Sequence, residues 1–247
     1  MNSSNPQLEA LFPIIQEKLQ GKYIVLEGLD GSGKTTLKDS LETKLTNTFS
    51  VREPGSTDFG ESIRNILLSS PFKLQSLTEF FLFMASRNEL LNQKVIPALK
   101  ENKIVISDRS YISSYAYQAY PAQISVDYFN QTVEQIYATT KIDLIIYVDV
   151  PYKVGLDRSS AVRDKDNMEA KGDSFYAQTE AGYKQYLDNF KSTATRIENL
   201  AYLDSNTRGF VELYKNDKGT YLAVLNAEQS FTTVYLTLVQ TLASLEF

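Results

Sequence analysis

The sequence predicts an α/β fold of three layers: a parallel β-sheet covered by helices on both faces. Three observations predict it. Short apolar, β-branched runs alternate with longer segments whose apolar residues recur at helical spacing. Runs such as 22–27, 103–107 and 143–150 are apolar almost throughout, as strands buried on both faces must be. The first run leads directly into a glycine-rich loop and then a helical pattern.

Leu8, Leu11, Phe12, Ile15 and Leu19 give a leading helix over 8–19, ended by Gly21. Residues 22–27 read as the first strand and 35–45 as the helix after the loop. A short strand over 49–52 stops at the turn Glu53-Pro54-Gly55. Helices follow over 58–68 and 76–100. The strand 103–107 ends in Asp108-Arg109, and helices are expected over 111–120 and 126–139. Pro151 closes the strand 143–150. From 158 to 172 the chain is polar and charged with little apolar periodicity, which reads as a mobile surface segment or a lid. A helix over 175–190 comes next. Two alternating runs, 210–214 and 220–225, flank Asn216-Asp217-Lys218-Gly219 and predict an extra C-terminal β-hairpin over about 209–226. A helix over 230–245 closes the chain. No repeat, low-complexity tract or linker interrupts 1–247, so one domain is expected.

Composition narrows the chemistry. At 247 residues and 43% hydrophobic, the chain can bury a core without covalent staples. It has no cysteine and no histidine, which excludes disulfides, thiolate or imidazole metal sites and the commonest general base. Carboxylates, lysine, arginine, hydroxyls and backbone groups remain. Phosphoryl transfer suits them, because it rests on positioning and charge neutralisation. A net charge of -5 argues against a nucleic-acid surface. No stretch has the apolar length to cross a bilayer, and Met1-Asn2-Ser3-Ser4 does not open like a secretory signal, so a cytoplasmic protein is expected.

The loop Gly28-Leu29-Asp30-Gly31-Ser32-Gly33-Lys34-Thr35-Thr36 matches the GxxxxGK[ST] phosphate-binding pattern in its required context, after a strand and before a helix. Its amides and the helix N-terminus would cradle the phosphates of ATP. Lys34 would reach the β- and γ-phosphates, and the Thr35 hydroxyl would ligate Mg²⁺. GTPases, motor ATPases and small-molecule kinases share this loop. No guanine-specifying Asn-Lys-x-Asp follows, and no basic channel accompanies the acidic strand 143–149. Asp108-Arg109, just after a buried strand, also stands where ligand crevices open.

With Arg52-Glu53-Pro54-Gly55-Ser56-Thr57, the run 79–87 ending in Arg87, and 108–118 in the same order, the chain resembles bacterial-type thymidylate kinases of the P-loop nucleoside monophosphate kinase family over about 22–186. The resemblance implies transfer of the ATP γ-phosphate to dTMP and, typically, a homodimer paired through helices beside the acceptor site. It implies that Arg109 and Arg64, helped by Arg52, hold the acceptor phosphate, and that Asp108 orients Mg²⁺, with Glu27 assisting through water. Asp30 would accept the deoxyribose 3′-OH, and Tyr117 would crowd a ribose 2′-OH. Phe83 would stack on thymine, Arg87 would donate to its O4, and Ser114 and Gln118 would line the base pocket. From spacing alone Phe83 is a core residue of an apolar helix; its register with Arg87 makes it a pocket residue. Ser32 leaves the loop without a second cation, so Arg158, Arg163 or Lys165 of the lid would stabilise the transferring group. Asn167 stands where the family tends to carry arginine. The alternatives are a kinase for another deoxynucleotide or deoxynucleoside, and a non-catalytic nucleotide switch.

Overall fold

The computed structural model describes residues 6–69, 71, 73–160 and 172–247. Its strands are β1 (Tyr23–Glu27), β2 (Thr48–Arg52), β3 (Ile104–Asp108), β4 (Leu144–Asp149), β5 (Thr195–Ile197), β6 (Val211–Lys215) and β7 (Tyr221–Asn226). They form one seven-stranded sheet in the order β2-β3-β1-β4-β7-β6-β5. The first five in that order are parallel, and β6 and β5 are added antiparallel.

Because strand side chains alternate between faces, each apolar strand feeds two cores. Ile24 and Leu26 of β1 pack with Leu37 and Leu41 of α3 (Lys34–Glu42) and with the C-terminal helix over Phe231–Ser244. The preceding helices α1 (Pro6–Glu9) and α2 (Phe12–Leu19) join that face through Phe12, Ile15 and Leu19. Tyr23 and Val25 point the other way, toward Leu90, Val95, Ile112 and Tyr183. This is the three-layer arrangement read from the sequence.

On the second face lie α4 (Asp58–Ser69), α5 (Ser76–Leu90), α6 (Ile96–Lys100), α7 (Tyr111–Ser114) and α8 (Val126–Ile136). They are followed by α9 (Tyr152–Ser160), α10 (Asp173–Thr193) and the closing α11 (Phe231–Ser244). The expected helix over 76–100 is interrupted by a π turn at Leu91–Val95, just before Pro97, whose ring and missing N–H break the regular ladder. A second π turn, Tyr115–Ala119, extends α7. The expected leading helix is broken at Ala10–Leu11 into α1 and α2.

The hairpin over 209–226 is present as β6 and β7, and it does extend the sheet. Its second strand is integral, however: β7 pairs parallel with β4 from Leu144↔Tyr221 to Asp149↔Asn226. An alternating run carries the same pattern whichever way its neighbour runs, so sequence did not separate an added strand from a central one. The added edge is β6 with the short β5, which sequence reading missed. The chain over 152–160 is helical, so the start of the expected lid, Arg158, is the last turn of α9. The rest of that lid over 161–171, including Arg163, Lys165 and Asn167, lies outside the described residues.

Candidate active site

The C-terminal ends of β1, β2, β3 and β7 open on a cavity of about 780 Å³. Its floor is the glycine loop. Gly31 has φ of +73°, and a Cβ there would lie 1.9 Å from the Gly155 carbonyl oxygen, so no side chain fits. Gly33, at φ +95°, turns the chain into α3 and caps it. Asp30, Gly31, Ser32, Gly33, Lys34, Thr35 and Thr36 line the cavity. Gly28 and Leu29 do not; Leu29 is buried in the core and gives its carbonyl to the Lys34 ammonium at 2.7 Å. Burial pulls the Lys34 pKa down to about 8, with the nearby Arg109 charge pulling the same way.

Thr35 Oγ1 donates to Asp108 Oδ2 at 2.7 Å, joining two residues far apart in sequence. Hydroxyl and carboxylate are hard oxygen donors, and Mg²⁺ characteristically takes one or two protein oxygens and completes its shell with water and substrate phosphates. Among the described residues no group of three or more acidic side chains, histidines or cysteines forms a metal cage. The donor set therefore fits Mg²⁺ rather than a structural metal.

Arg109 sits at φ +76°, a left-handed conformation that costs a non-glycine residue about 1–3 kcal/mol. The fold enforces it: its N–H donates to Leu26 O at 2.9 Å and its carbonyl accepts from Ser107 Oγ at 2.7 Å. Nη2 pairs with Asp30 Oδ1 at 2.5 Å, and Nη1 donates to Gly28 O, Ser113 Oγ and Tyr183 Oη at 3.2, 3.0 and 3.3 Å. The guanidinium also lies over the Tyr117 ring, 5.1 Å from its centroid. Burial works against its charge, but Tyr117 and Asp30 hold its pKa well above the ordinary value. Burial, reinforced by Asp30, raises the Tyr117 hydroxyl, which stays protonated and donates to Asp30 Oδ2 at 3.2 Å.

One flank of the cavity carries Arg52, Glu53, Pro54, Arg64, Phe83, Tyr117 and Gln118. Phe83 is half-buried on this wall, where helical spacing alone made it a core residue. Arg64 Nη1 donates to Pro54 O at 3.0 Å. Arg52 is exposed and its Nη2 is shared between both Glu61 oxygens at 2.9 and 3.0 Å. Gln118 is fully buried from bulk solvent, and among the described residues neither its Oε1 nor its Nε2 has a partner.

Arg87 and Ser114 do not line the cavity; both are 1% exposed, one layer behind it. Arg87 Nη2 donates to Ser114 Oγ at 3.0 Å, and Nε donates to Glu53 Oε2 at 2.6 Å. Burial pushes the Glu53 carboxyl up to about 7 against the pull of Arg87. Glu27 faces away from the cavity as well. Its carboxylate is consumed by Ser110, Ser113 and Tyr183, which replaces the expected water-mediated role with a packed one.

Arg158, Ala227, Gln229, Phe231 and Val234 form the opposite flank, with Arg158 Nη1 on Ala227 O at 3.2 Å. Of these, the sequence singles out Arg158 alone. Residues 227–234 follow β7, so recognising β7 as a parallel strand would have placed them at a crevice. Phe231 is 48% exposed and stacks on Tyr235 with centroids 5.8 Å apart.

A family model described as thymidylate kinase matches residues 26–201. The thymidylate kinase of Nitrosospira multiformis is 34% identical over 192 residues, covering 76% of this chain and 91% of that protein. That of Staphylococcus haemolyticus is 37% identical over 198 residues, covering 78% and 97% respectively. The crystal structure of thymidylate kinase from Ehrlichia chaffeensis superposes with a TM-score of 0.56 at 29% identity, covering 70% of this chain and 85% of that one.

Proposed function

This chain belongs to the thymidylate kinase family, a phosphotransferase acting on dTMP to give dTDP, and from that premise we propose how its residues share the work. The observation that carries the assignment is the continuous cavity with the phosphate loop between two flanks. Two nucleotides placed phosphate to phosphate match that layout. ATP would lie with its base toward Arg158, Gln229 and Phe231 and its phosphates on 30–36. The acceptor would lie along Arg64, Phe83, Tyr117 and Gln118.

Two polyanions must meet at the loop, so cations and fixed donors have to offset their repulsion. Lys34 holds the β- and γ-phosphates of the donor. Arg109, with Arg64 beside it, grips the acceptor 5′-phosphate with N–H groups that Ser113, Tyr183 and Gly28 do not use. Thr35 and Asp108 would hold Mg²⁺, which would neutralise charge on the transferring group. Asp30 accepts the sugar 3′-OH, and Tyr117, held against Asp30, leaves no room for a 2′-OH. Arg158 belongs to the donor flank in this assignment. Arg163 is retained as the closing cation on the sequence argument alone.

The unpartnered Gln118 amide supports thymine as the base. An imide edge offers an N–H flanked by carbonyls, which would pair with Oε1 and Nε2 together. An unsatisfied buried amide costs the free enzyme about 1–3 kcal/mol, a cost that ligand binding removes. Gln118→Leu is therefore expected to raise KM for dTMP about tenfold or more with KM for ATP unchanged. The thermal midpoint of the free protein should stay level or rise. A lowered midpoint with unchanged KM for dTMP would make Gln118 a structural residue and remove it from the base site.

We also place the protein in the cytoplasm as a homodimer. Among the described residues no helix is long and apolar enough to cross a membrane. On the packed helices α4 and α5, Phe59, Ile66, Leu77 and Phe81 are 46, 40, 47 and 48% exposed. Large apolar side chains grouped this way favour burial against a second copy. Leu77→Glu with Phe81→Glu should halve the mass measured by light scattering; an unchanged dimer would move the interface elsewhere.

A further inference from the structure

The Glu27 carboxylate at the end of β1 is fully buried and outside the cavity wall, yet it is bonded on every side. Oε1 accepts from Ser110 N and Oγ, both at 2.7 Å, and from Ser113 N at 3.3 Å. Oε2 accepts from Ser113 Oγ at 2.7 Å and from Tyr183 Oη at 2.9 Å. Ser113 Oγ and Tyr183 Oη are the two hydroxyls that receive Arg109 Nη1.

An ionised carboxylate only accepts hydrogen bonds. Each hydroxyl has one proton, and the two hydroxyls also lie 2.8 Å from each other, with Gly28 O 3.3 Å from Tyr183 Oη. Ser113 gives its proton to Glu27, and Tyr183 gives its to Glu27 or to Ser113 Oγ, so in either arrangement lone pairs and not protons face Arg109. We infer that Glu27 is a positioning residue for phosphoryl transfer: it fixes the proton direction of Ser113 and Tyr183 so that both accept from Arg109, and thereby aims that guanidinium at the acceptor phosphate. The same bonds to Ser110 and Ser113 anchor the start of α7, which leads to Tyr117 and Gln118. Glu27 thus ties the donor-side strand to the acceptor-side cation without touching either substrate. A burial role alone would not need Oε2 shared between the two hydroxyls that serve Arg109.

The inference rests on the reading of Arg109 as the acceptor-phosphate cation, and the experiment separates the two. Calorimetric affinities for dTMP and for thymidine, which lacks the phosphate, are measured on the full chain as wild type, Glu27→Gln, Arg109→Ala and the double variant. Glutamine keeps the shape, but its NH₂ donates, so one hydroxyl must accept from it and turn its proton toward Arg109. The expected result is a loss of about tenfold in dTMP affinity, unchanged thymidine affinity, and no further loss on the Arg109→Ala background. Equal losses for dTMP and thymidine, no loss for either, or additivity with Arg109→Ala overturns the inference. If Arg109→Ala itself leaves the preference for dTMP over thymidine intact, the underlying reading fails and the inference with it. Should Glu27→Gln not fold, Tyr183→Phe removes one link and keeps the ring. It should show a smaller loss confined to dTMP, and a loss shared by both ligands contradicts the inference.

Discussion

Lys34→Met should reduce turnover about a thousandfold while leaving the free protein at least as stable as wild type. Methionine keeps the length and bulk of the side chain, so packing changes little. What disappears is an ammonium that is 6% exposed, bonded to Leu29 O, and already disfavoured by burial and by Arg109. Without substrate that charge is a burden on the fold; with ATP it becomes the counter-charge to the β- and γ-phosphates.

The pKa of about 8 gives this prediction a pH signature. Its folded value lies below the unfolded one, so in that window the unfolded chain binds more protons. The Lys34 contribution to stability therefore rises as pH climbs from about 8 toward the ordinary lysine value. ATP binding runs the other way, because phosphates favour the ammonium. Affinity should fall as pH rises through about 8, at a slope approaching tenfold per unit. Both dependences should be missing in Lys34→Met. Calorimetric melting and ATP titration from pH 7 to 10 read them directly, and a variant that keeps the wild-type slope would assign the titration to another group.

Arg87→Met should cost about 3–5 kcal/mol of stability, a fall in thermal midpoint on the order of 10 °C. The guanidinium is 1% exposed, and its removal strands the Glu53 carboxyl, whose side chain is only 3% exposed at the edge of the cavity. Glu53 Oε1 already lacks a partner among the described residues, so little is left to hold the charge. Adding Glu53→Gln to Arg87→Met should recover most of the loss, because the stranded charge is gone. In the wild type the Glu53 value of about 7 is raised above the usual carboxyl range. Its contribution is therefore full below the unfolded value and is lost as pH climbs through about 7; Glu53→Gln should remove that slope. Melting of the three variants between pH 5 and 8 checks this. Failure of the double variant to recover would show that Arg87 stabilises through Ser114 and Met84 instead.

The phosphate loop was legible because its chemistry is local: glycines, lysine and threonine at fixed spacing after an apolar strand. Asp108-Arg109 was legible for a similar reason, since β3 is a short buried run with a charged pair at its end. What failed was whatever depends on which strands lie side by side. β7 looked like half of an added hairpin, so Ala227, Gln229, Phe231 and Val234 were not connected with the cavity. Nothing in one dimension signals that Ser113 and Tyr183 converge on Glu27 across 86 and 156 residues of sequence. Arg87 is expected from the sequence at the base pocket, whereas the structure puts it one layer behind the cavity. Charge and spacing show that a helix carries an arginine, while its depth is set by Glu53, which arrives on another element.

The central claim is that one cavity joins a donor triphosphate to a thymine monophosphate. It is tested most directly by ADP release with ATP and Mg²⁺ and a panel of acceptors: dTMP, dUMP, UMP, dCMP, dGMP and thymidine. The account predicts turnover with dTMP well above the others. UMP should be poor because Tyr117 crowds the 2′-hydroxyl, and thymidine silent because Arg109 and Arg64 have no phosphate to hold. Equal or better turnover on dCMP or dGMP would contradict the base site built on Phe83 and Gln118, and phosphorylation of thymidine would contradict the phosphate grip.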